Sequence, residues 1–403
     1  MSDPHISEAL LDADAACLAA AERLLDTLAE WPSPVGYERF LRTLEEARAL
    51  ADAEESAGRV DPLLLRHLRA SWEALAAVAR YRWEWPRVDE AEPLAAVAGE
   101  DAGDRIRVRV AGADREELWA YLADRHRQRA GRVPPSAPAA RPMVEEAARR
   151  MTRAFRAWLA SRGWDLPGLD VEVTVDPGDR VMSSYRPARR MVVLGGAEFL
   201  VFGGPKGARV DPVIALHSLA HELVGHAVQA ALSRDLPAPL RPDDRSRLRF
   251  ASLPVAEGLA GYAGRLALAF AREAGEEIGL APGSVEFLAR MVELTPLHHA
   301  TAALVDLAVL RARREPGFDP VGWLEETCGH GGFGDLLAAA RDVPLYKLLY
   351  DSGSLAGLLA VEEAAAVLER RGVTGPTAWR RLARGAWAIS CYREAVLEEG
   401  APG

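Results

Sequence analysis

Lysine is nearly missing from this 403-residue chain, which carries only Lys206 and Lys347 among its 49 basic side chains. The arginine in its place reads as genomic base composition rather than as function. Positive charge is also outnumbered: 59 carboxylates give a formal net charge of −10, without the basic footprint of a general nucleic-acid binder. Cysteine is scarce. Cys17, Cys328 and Cys391 are far apart and odd in number, so a reducing compartment is expected and a disulfide framework is not. No window is apolar and uncharged for the length a membrane helix needs. The first ten residues lack the basic start and apolar stretch of a signal peptide. These absences lead to the expectation of a cytoplasmic protein with no membrane and no nucleic acid among its partners.

What is present favours helix. Aromatics are only 7% of the chain, but Ala, Leu, Glu and Arg crowd it, and these lose little rotamer freedom in a helical turn. At 49% hydrophobic, the sequence can supply the core of one large domain or two ordinary ones. Residues 6–83 read as successive amphipathic helices, with Leu10, Leu11, Cys17, Leu18, Leu24, Leu25 and Leu28 at helical spacing. Trp31-Pro32-Ser33-Pro34 breaks the first helix, and the pattern resumes over Tyr37–Ala57 and Pro62–Trp83. Ile106 to Val110 alternates like a short strand, and Asp114–Arg129 reads as helix. The proline-rich stretch Val133–Pro142 is the best linker, dividing a helical N-terminal region (1–131) from a catalytic region (142–403). Beyond it the patterning predicts a helix over Val144–Arg162 and strands at Asp170–Val175, Arg190–Leu194 and Phe199–Phe202. Everything after Asp211 reads as helix, with breaks near Pro237, Pro282, Pro316 and Gly329. The expected class is mainly α (α+β), with a few strands just ahead of a histidine-bearing helix.

The chemistry concentrates in Ile214–Gln229, where His217, His221, Glu222 and His226 interrupt an otherwise apolar helix. Buried ionisable groups need partners, and a metal ion is the economical one. In the familiar metalloprotease motif His-Glu-x-x-His the histidines lie one helical turn apart and the glutamate is the general base. Here the spacing is one residue longer, His221-Glu222-Leu223-Val224-Gly225-His226. Positions five apart on an ideal α-helix diverge by about 140°. A local π-bulge would bring them back to one face, and Gly225 would ease that distortion. The pair His217 and His221, four apart, needs no distortion and competes as the ligand pair. Glu257 stands alone among small and apolar residues in Ser252–Ala263, and a second helix lending one glutamate would complete a three-ligand zinc site with a place left for water. Zinc would lower that water's pKa, and Glu222 would take its proton. Structural alternatives are a Glu257–Arg265 ion pair, His298-His299 on a helix surface, and Cys328-Gly329-His330-Gly331-Gly332 as a connection between helices.

Residues 185–360 resemble the bacterial zincin-like family known as domain of unknown function 885. Its His-Glu-x-x-Pro-Gly-His-x-x-Gln is similar to His221–Gln229 with the residue before glycine deleted, and its Glu-Gly-Trp-Ala-x-Tyr-Ala is similar to Glu257–Ala263. Its Pro-Gly-x-x-x-x-Tyr-x-x-Gly is echoed by Pro344–Gly353, and its Tyr-x-x-Pro segment and edge strand by Tyr185-Arg186-Pro187 and Met191–Leu194. The thimet-oligopeptidase-like and Taq-carboxypeptidase-like peptidases are adjacent. The resemblance implies a helical zincin-like metallopeptidase fold with a small antiparallel sheet beside the active-site helix. It also implies Zn2+ on His221, His226 and Glu257, Glu222 as base and Tyr350 near the substrate. The family's Arg-x-x-Arg-x-x-x-Asp-x-x-x-His run falls on His299, Ala302, Asp306 and Leu310, so only the aspartate is kept. The missing groups would ordinarily hold a substrate carboxylate or orient a ligand.

The expected function is a zinc-dependent peptidase cleaving short peptides, with an extended substrate paired to the strand Met191–Leu194. Two alternatives stand beside it. Two histidines and a carboxylate also ligate non-haem iron, which would suit a tailoring enzyme of peptide natural-product biosynthesis. The departures from the family pattern would suit a non-catalytic binding protein on a degenerate zincin scaffold. Nothing in the sequence fixes an oligomeric state.

Overall fold

The proline and aspartate that punctuate the N-terminal third set its helix boundaries. In the computed structural model α1 (Glu8–Leu25), α2 (Pro34–Ser56) and α3 (Pro62–Glu84) enclose Cys17, Phe40, Leu68 and Trp72. At the start of α3, Asp61 Oδ1 accepts the free amides of Leu63 (2.9 Å) and Leu64 (3.0 Å), and Pro62 occupies the first helical position. Two short helices follow, α4 (Ala91–Ala98) and α5 (Ala102–Ala111). The residues described are 6–25, 34–84, 87–113, 116, 140–176, 178, 183–202, 209–242, 249–281, 283–329, 331, 333, 334, 337 and 345–397. The expected helix Asp114–Arg129 (save Glu116), most of the linker, Trp31–Ser33, Pro282, His330, Gly332 and Pro344 lie outside them.

The expected strand at Ile106–Val110 is a helix, α5. Ile106 and Val110 are buried one turn apart, whereas Val108 between them is 73% exposed. A strand would have buried all three on one face; a helix puts Val108 on the other side.

The helix α6 (Arg141–Ser161) buries Met151, Phe155 and Leu159, and Phe155 meets Phe270 edge-on at 5.4 Å. The three expected strands form, as β1 (Glu172–Asp176), β3 (Met191–Gly195) and β4 (Leu200–Phe202), and two short ones join them, β2 (Ser184–Arg186) and β5 (Arg209–Asp211). The sheet is mixed rather than antiparallel: its order is β1-β3-β2, with β1 and β3 parallel and β2 and β3 antiparallel. From β1 the chain crosses to the far edge as β2, turns through Pro187–Arg189 with Arg190 left-handed (φ 49°), and returns as the middle strand. The strands β4 and β5 pair antiparallel by themselves.

The rest is helical. One long helix runs from α7 (Val213–Leu219) through a π-helical segment (Ala220–Ala227) into α8 (Val228–Leu232). After it come α9 (Leu253–Ala274), α10 (Ser284–Arg314), α11 (Pro320–Cys328), α12 (Leu345–Arg370), α13 (Gly375–Leu382) and α14 (Ile389–Leu397). Asp211 ties the start of this set together, accepting from Val213 N (3.1 Å) and Ser284 Oγ (2.6 Å). The helix α9 is the hub, packed on the π-helical segment and on α12. At the second crossing the backbones nearly touch: a Cβ on Gly258 would lie 2.1 Å from Gly357 C, and one on Gly357 would lie 1.6 Å from Pro254 O. The chain is thus mainly helical with a small sheet. Among the described residues no helix is long and apolar enough to cross a membrane, and the three cysteines are buried and unbridged.

Candidate metal centre

The extra residue between His221 and His226 is absorbed by the π-helical turn, where the amide of Val228 bonds the carbonyl of Leu223, five residues back. The Val224 carbonyl also receives the Trp379 indole N–H (3.3 Å). Both imidazoles consequently face one side, their rings 5.0 Å apart. Gly225 has a different reason for being there than easing the bend: a Cβ would lie 2.5 Å from Ala260 Cα on α9. That close approach brings Glu257, three residues earlier on α9, between the histidines. Its carboxylate lies 3.5 Å from His221 Nε2 and 3.6 Å from His226 Nε2.

One donor atom from each of His221, His226 and Glu257 lies within 4.8 Å of the others, the sole such cluster among the described residues. Two imidazole nitrogens and a carboxylate are a donor set that suits zinc or non-haem iron, so the residues fit a divalent cation. The competing pair dissolves: His217 does not join the cluster, its Nε2 instead packing where a Cβ on Gly264 would be, 2.9 Å away. Glu257 does not pair with Arg265, which meets Glu362 at 2.6 Å.

Charges around the cluster reinforce one another. Burial opposes the positive form of His221, but Glu257, Glu222 and Glu198 outweigh it and raise its pKa to about 9. Glu257, against its own burial, is lowered to about 2 by His226, His221 and a hydrogen bond from Tyr350. That bond, Tyr350 Oη to Glu257 Oε2, is 2.9 Å long, and the carboxylate together with burial pushes the phenol well above its ordinary value.

Glu222 is 7% exposed and held from outside its own helix. Its Oε2 accepts the backbone N–H of Tyr185 on β2 (2.6 Å), while Oε1 lies 4.0 Å from His221 Nε2. The expected substrate strand is therefore corrected: β3 is the middle strand with both edges paired, and β2 is the strand that reaches the site. Glu198 fixes the approach to β2 by accepting from Ser183 N (3.1 Å) and Ser183 Oγ (2.6 Å), and burial raises its pKa.

His221, Glu222, His226, Glu257 and Tyr350 line a cleft of about 380 Å³ that also takes in Tyr185, Tyr346, Gln229, Arg241, Arg249 and Ser252. His299 stands behind it, its Nδ1 2.9 Å from Asp351 Oδ1 and its ring 6.4 Å from that of Tyr350. Asp306, the aspartate shared with the family's run, is 1% exposed with Lys347 Nζ 3.8 Å away, and burial raises its pKa to about 7. Tyr262 stacks on Trp379 at 5.8 Å, away from the cluster. Sequence reasoning missed Glu198, Arg241 and Arg249, which carry no motif. It also gave no role to Gln229, Ser252 and Tyr346, which lie inside the quoted stretches.

No protein-family model and no curated protein matches the chain. Among solved structures it is similar to the crystal structure of a candidate lipoprotein from Colwellia psychrerythraea, at a TM-score of 0.50 and 15% identity, covering 96% of this chain and 74% of that one. At that identity the likeness concerns the fold alone.

Proposed function

We propose that the cleft is the active site of a zinc-dependent hydrolase that cleaves short peptides, on a zincin-like helical scaffold. One observation carries the reading: the π-helical turn aims His221 and His226 at the Glu257 carboxylate while the backbone of β2 holds Glu222 beside them. The resemblance of His221–Gln229 and Glu257–Ala263 to the family named above supports it, since the same two stretches supply the cluster.

His221, His226 and Glu257 would hold the cation, which when bound supplies Lewis acidity to the scissile carbonyl and acidifies water. The remaining work belongs to the chain. Glu222 has one oxygen fixed by Tyr185 N–H and the other beside the cluster, the posture of a base that accepts a proton from water and returns it to the leaving nitrogen. Tyr350 Oη, now donating to Glu257, is the hydroxyl positioned to turn toward a developing oxyanion. A cleft of about 380 Å³ admits a few residues of peptide rather than a folded protein.

The test is Glu222→Gln, which keeps the carbonyl oxygen for Tyr185 N–H and removes the base. Zinc content should stay at one equivalent per chain while turnover of short peptides falls by roughly 10²–10⁴-fold. Undiminished turnover would refute the mechanism.

A further inference from the structure

The carbonyl of Val224 loses its ordinary helical partner in the π turn. In an α-helix it would accept the N–H of Val228, four residues on. Here that N–H goes to the carbonyls of Leu223 and Gly225. Trp379, on α13, supplies a donor in its place, with its indole Nε1 3.3 Å from Val224 O in a buried contact. A buried carbonyl without a donor costs free energy comparable to a lost hydrogen bond, so the indole N–H stabilises the π turn over the α ladder. A buried tryptophan usually finds some acceptor for its N–H. What sets Trp379 apart is which acceptor it finds: the carbonyl displaced by the five-residue spacing of the histidines.

The same side chain meets the helix that carries the third member of the cluster. Trp379 is 3% exposed. Its ring lies on that of Tyr262, with centroids 5.8 Å apart and planes 14° from parallel, and Trp164 packs against it at 5.7 Å. Tyr262 and Glu257 both belong to α9. One residue therefore touches both elements that supply the cluster: the turn bearing His221 and His226 and the helix bearing Glu257. Trp379 is not among the side chains that line the cleft, so its influence runs through the backbone of the turn and the packing of α9.

We infer that Trp379 is a positioning residue for the metal cluster, holding the π turn that aims His221 and His226 at one point and seating that turn against α9. The inference rests on the metal-site part of the reading above and is independent of the reaction catalysed. Without the indole N–H, Val224 O either stays unpartnered or draws the Val228 N–H back. The second course turns His226 away from His221, toward the divergence of about 140° that a plain α-helix gives positions five apart. Either way the turn competent for metal is less populated, by about tenfold for the loss of one hydrogen bond.

Two replacements remove the N–H. Trp379→Phe is the simple one, and benzothienylalanine at position 379 keeps the bicyclic shape should the smaller ring cost the fold. Trp164→Phe is the control, because it alters the packing on the indole and leaves the bond to Val224 in place. Hydrogen exchange on the metal-free protein reads the turn itself. Amides of residues 224–228 should exchange about tenfold faster without the N–H than in wild type or control, while those of α1 stay unchanged. Zinc affinity, from chelator competition, should fall about tenfold, and the visible absorption of the Co2+-loaded protein, which reports ligand geometry, should change. Exchange at the turn no faster than in the control overturns the inference, whatever the affinity. Faster exchange with unaltered zinc affinity and cobalt spectrum overturns it too, since the turn then does not position the ligands. If exchange rises but wild-type protein binds neither cation, the hold on the turn stands and the metal reading falls.

Discussion

Adding one methyl group at Gly225 puts the seam between the π-helical segment and α9 under direct strain. The new Cβ would lie 2.5 Å from Ala260 Cα and 2.6 Å from Ala260 Cβ. Ordinary carbon contacts begin near ~3.5 Å, so the two helices must part by about 1 Å. Backbone rather than a flexible side chain is in the way, so the strain cannot be relieved by a rotamer change. Overpacking of this kind costs roughly 1–3 kcal/mol, against the ~1 kcal/mol that alanine gains over glycine in a helix. The overlap wins, and Gly225→Ala should be destabilised by about 1 kcal/mol in urea unfolding. The displacement lands on the ligands, because His226 follows Gly225 directly and Glu257 precedes Ala260 by less than a turn. Zinc affinity, measured by competition with a chromogenic chelator, should fall about tenfold or more. Gly261→Ala on the same helix is the control: its Cβ would meet Leu358 side-chain atoms at 3.9 and 4.0 Å, an ordinary contact. It should bind zinc like wild type and be as stable or slightly more so. If Gly225→Ala matches that control in both assays, the close approach does not set the metal geometry.

The charges of the cluster give a pH signature. His221, raised from its ordinary 6.5 to about 9, contributes to metal-free stability fully below its unfolded value, and that contribution is lost as pH rises through about 9. Glu257, lowered from 4.5 to about 2, contributes above its unfolded value and loses that contribution as pH falls toward 2. Zinc must displace the His221 proton, so its affinity should climb from neutral to mildly alkaline pH and level near 9; chelator competition showing a flat profile would contradict this. Tyr350→Phe should lower kcat about 10²-fold with little change in KM, whereas unaltered kcat would reduce that hydroxyl to a support for Glu257.

Periodicity made most of the fold legible, because long amphipathic helices repeat their signal many times. It failed where an element was short. Five residues at Ile106–Val110 alternate in a way that also places Ile106 and Val110 one helical turn apart, and only the long-range packing of α5 decides between the two. The strands β2 and β5 are three residues each, too brief to show any period, and they form because β3 and β4 offer them a partner edge. The same limit explains the reversed role of β3: alternation marks a strand but does not say whether its edges are free.

The cluster itself was legible because spacing is a local property. A five-residue separation of histidines needs a π turn if both are to face one ion, and the pair His217 and His221, four apart, is the alternative that needs none. The groups that surround the cluster come from the tertiary fold and have no such signature. Tyr185 reaches Glu222 through its backbone N–H, which any residue but proline could supply. Glu198 works through a serine fifteen positions upstream. Arg249 gains its position from Asp14, 235 residues away in sequence, and from the start of α9. What distinguishes it from the other described arginines is its burial, at 4% exposed, a property that exists only after folding. The residues that could hold a cation are therefore readable as a pattern, whereas the rest of the cleft's lining depends on which distant segments the helices bring together.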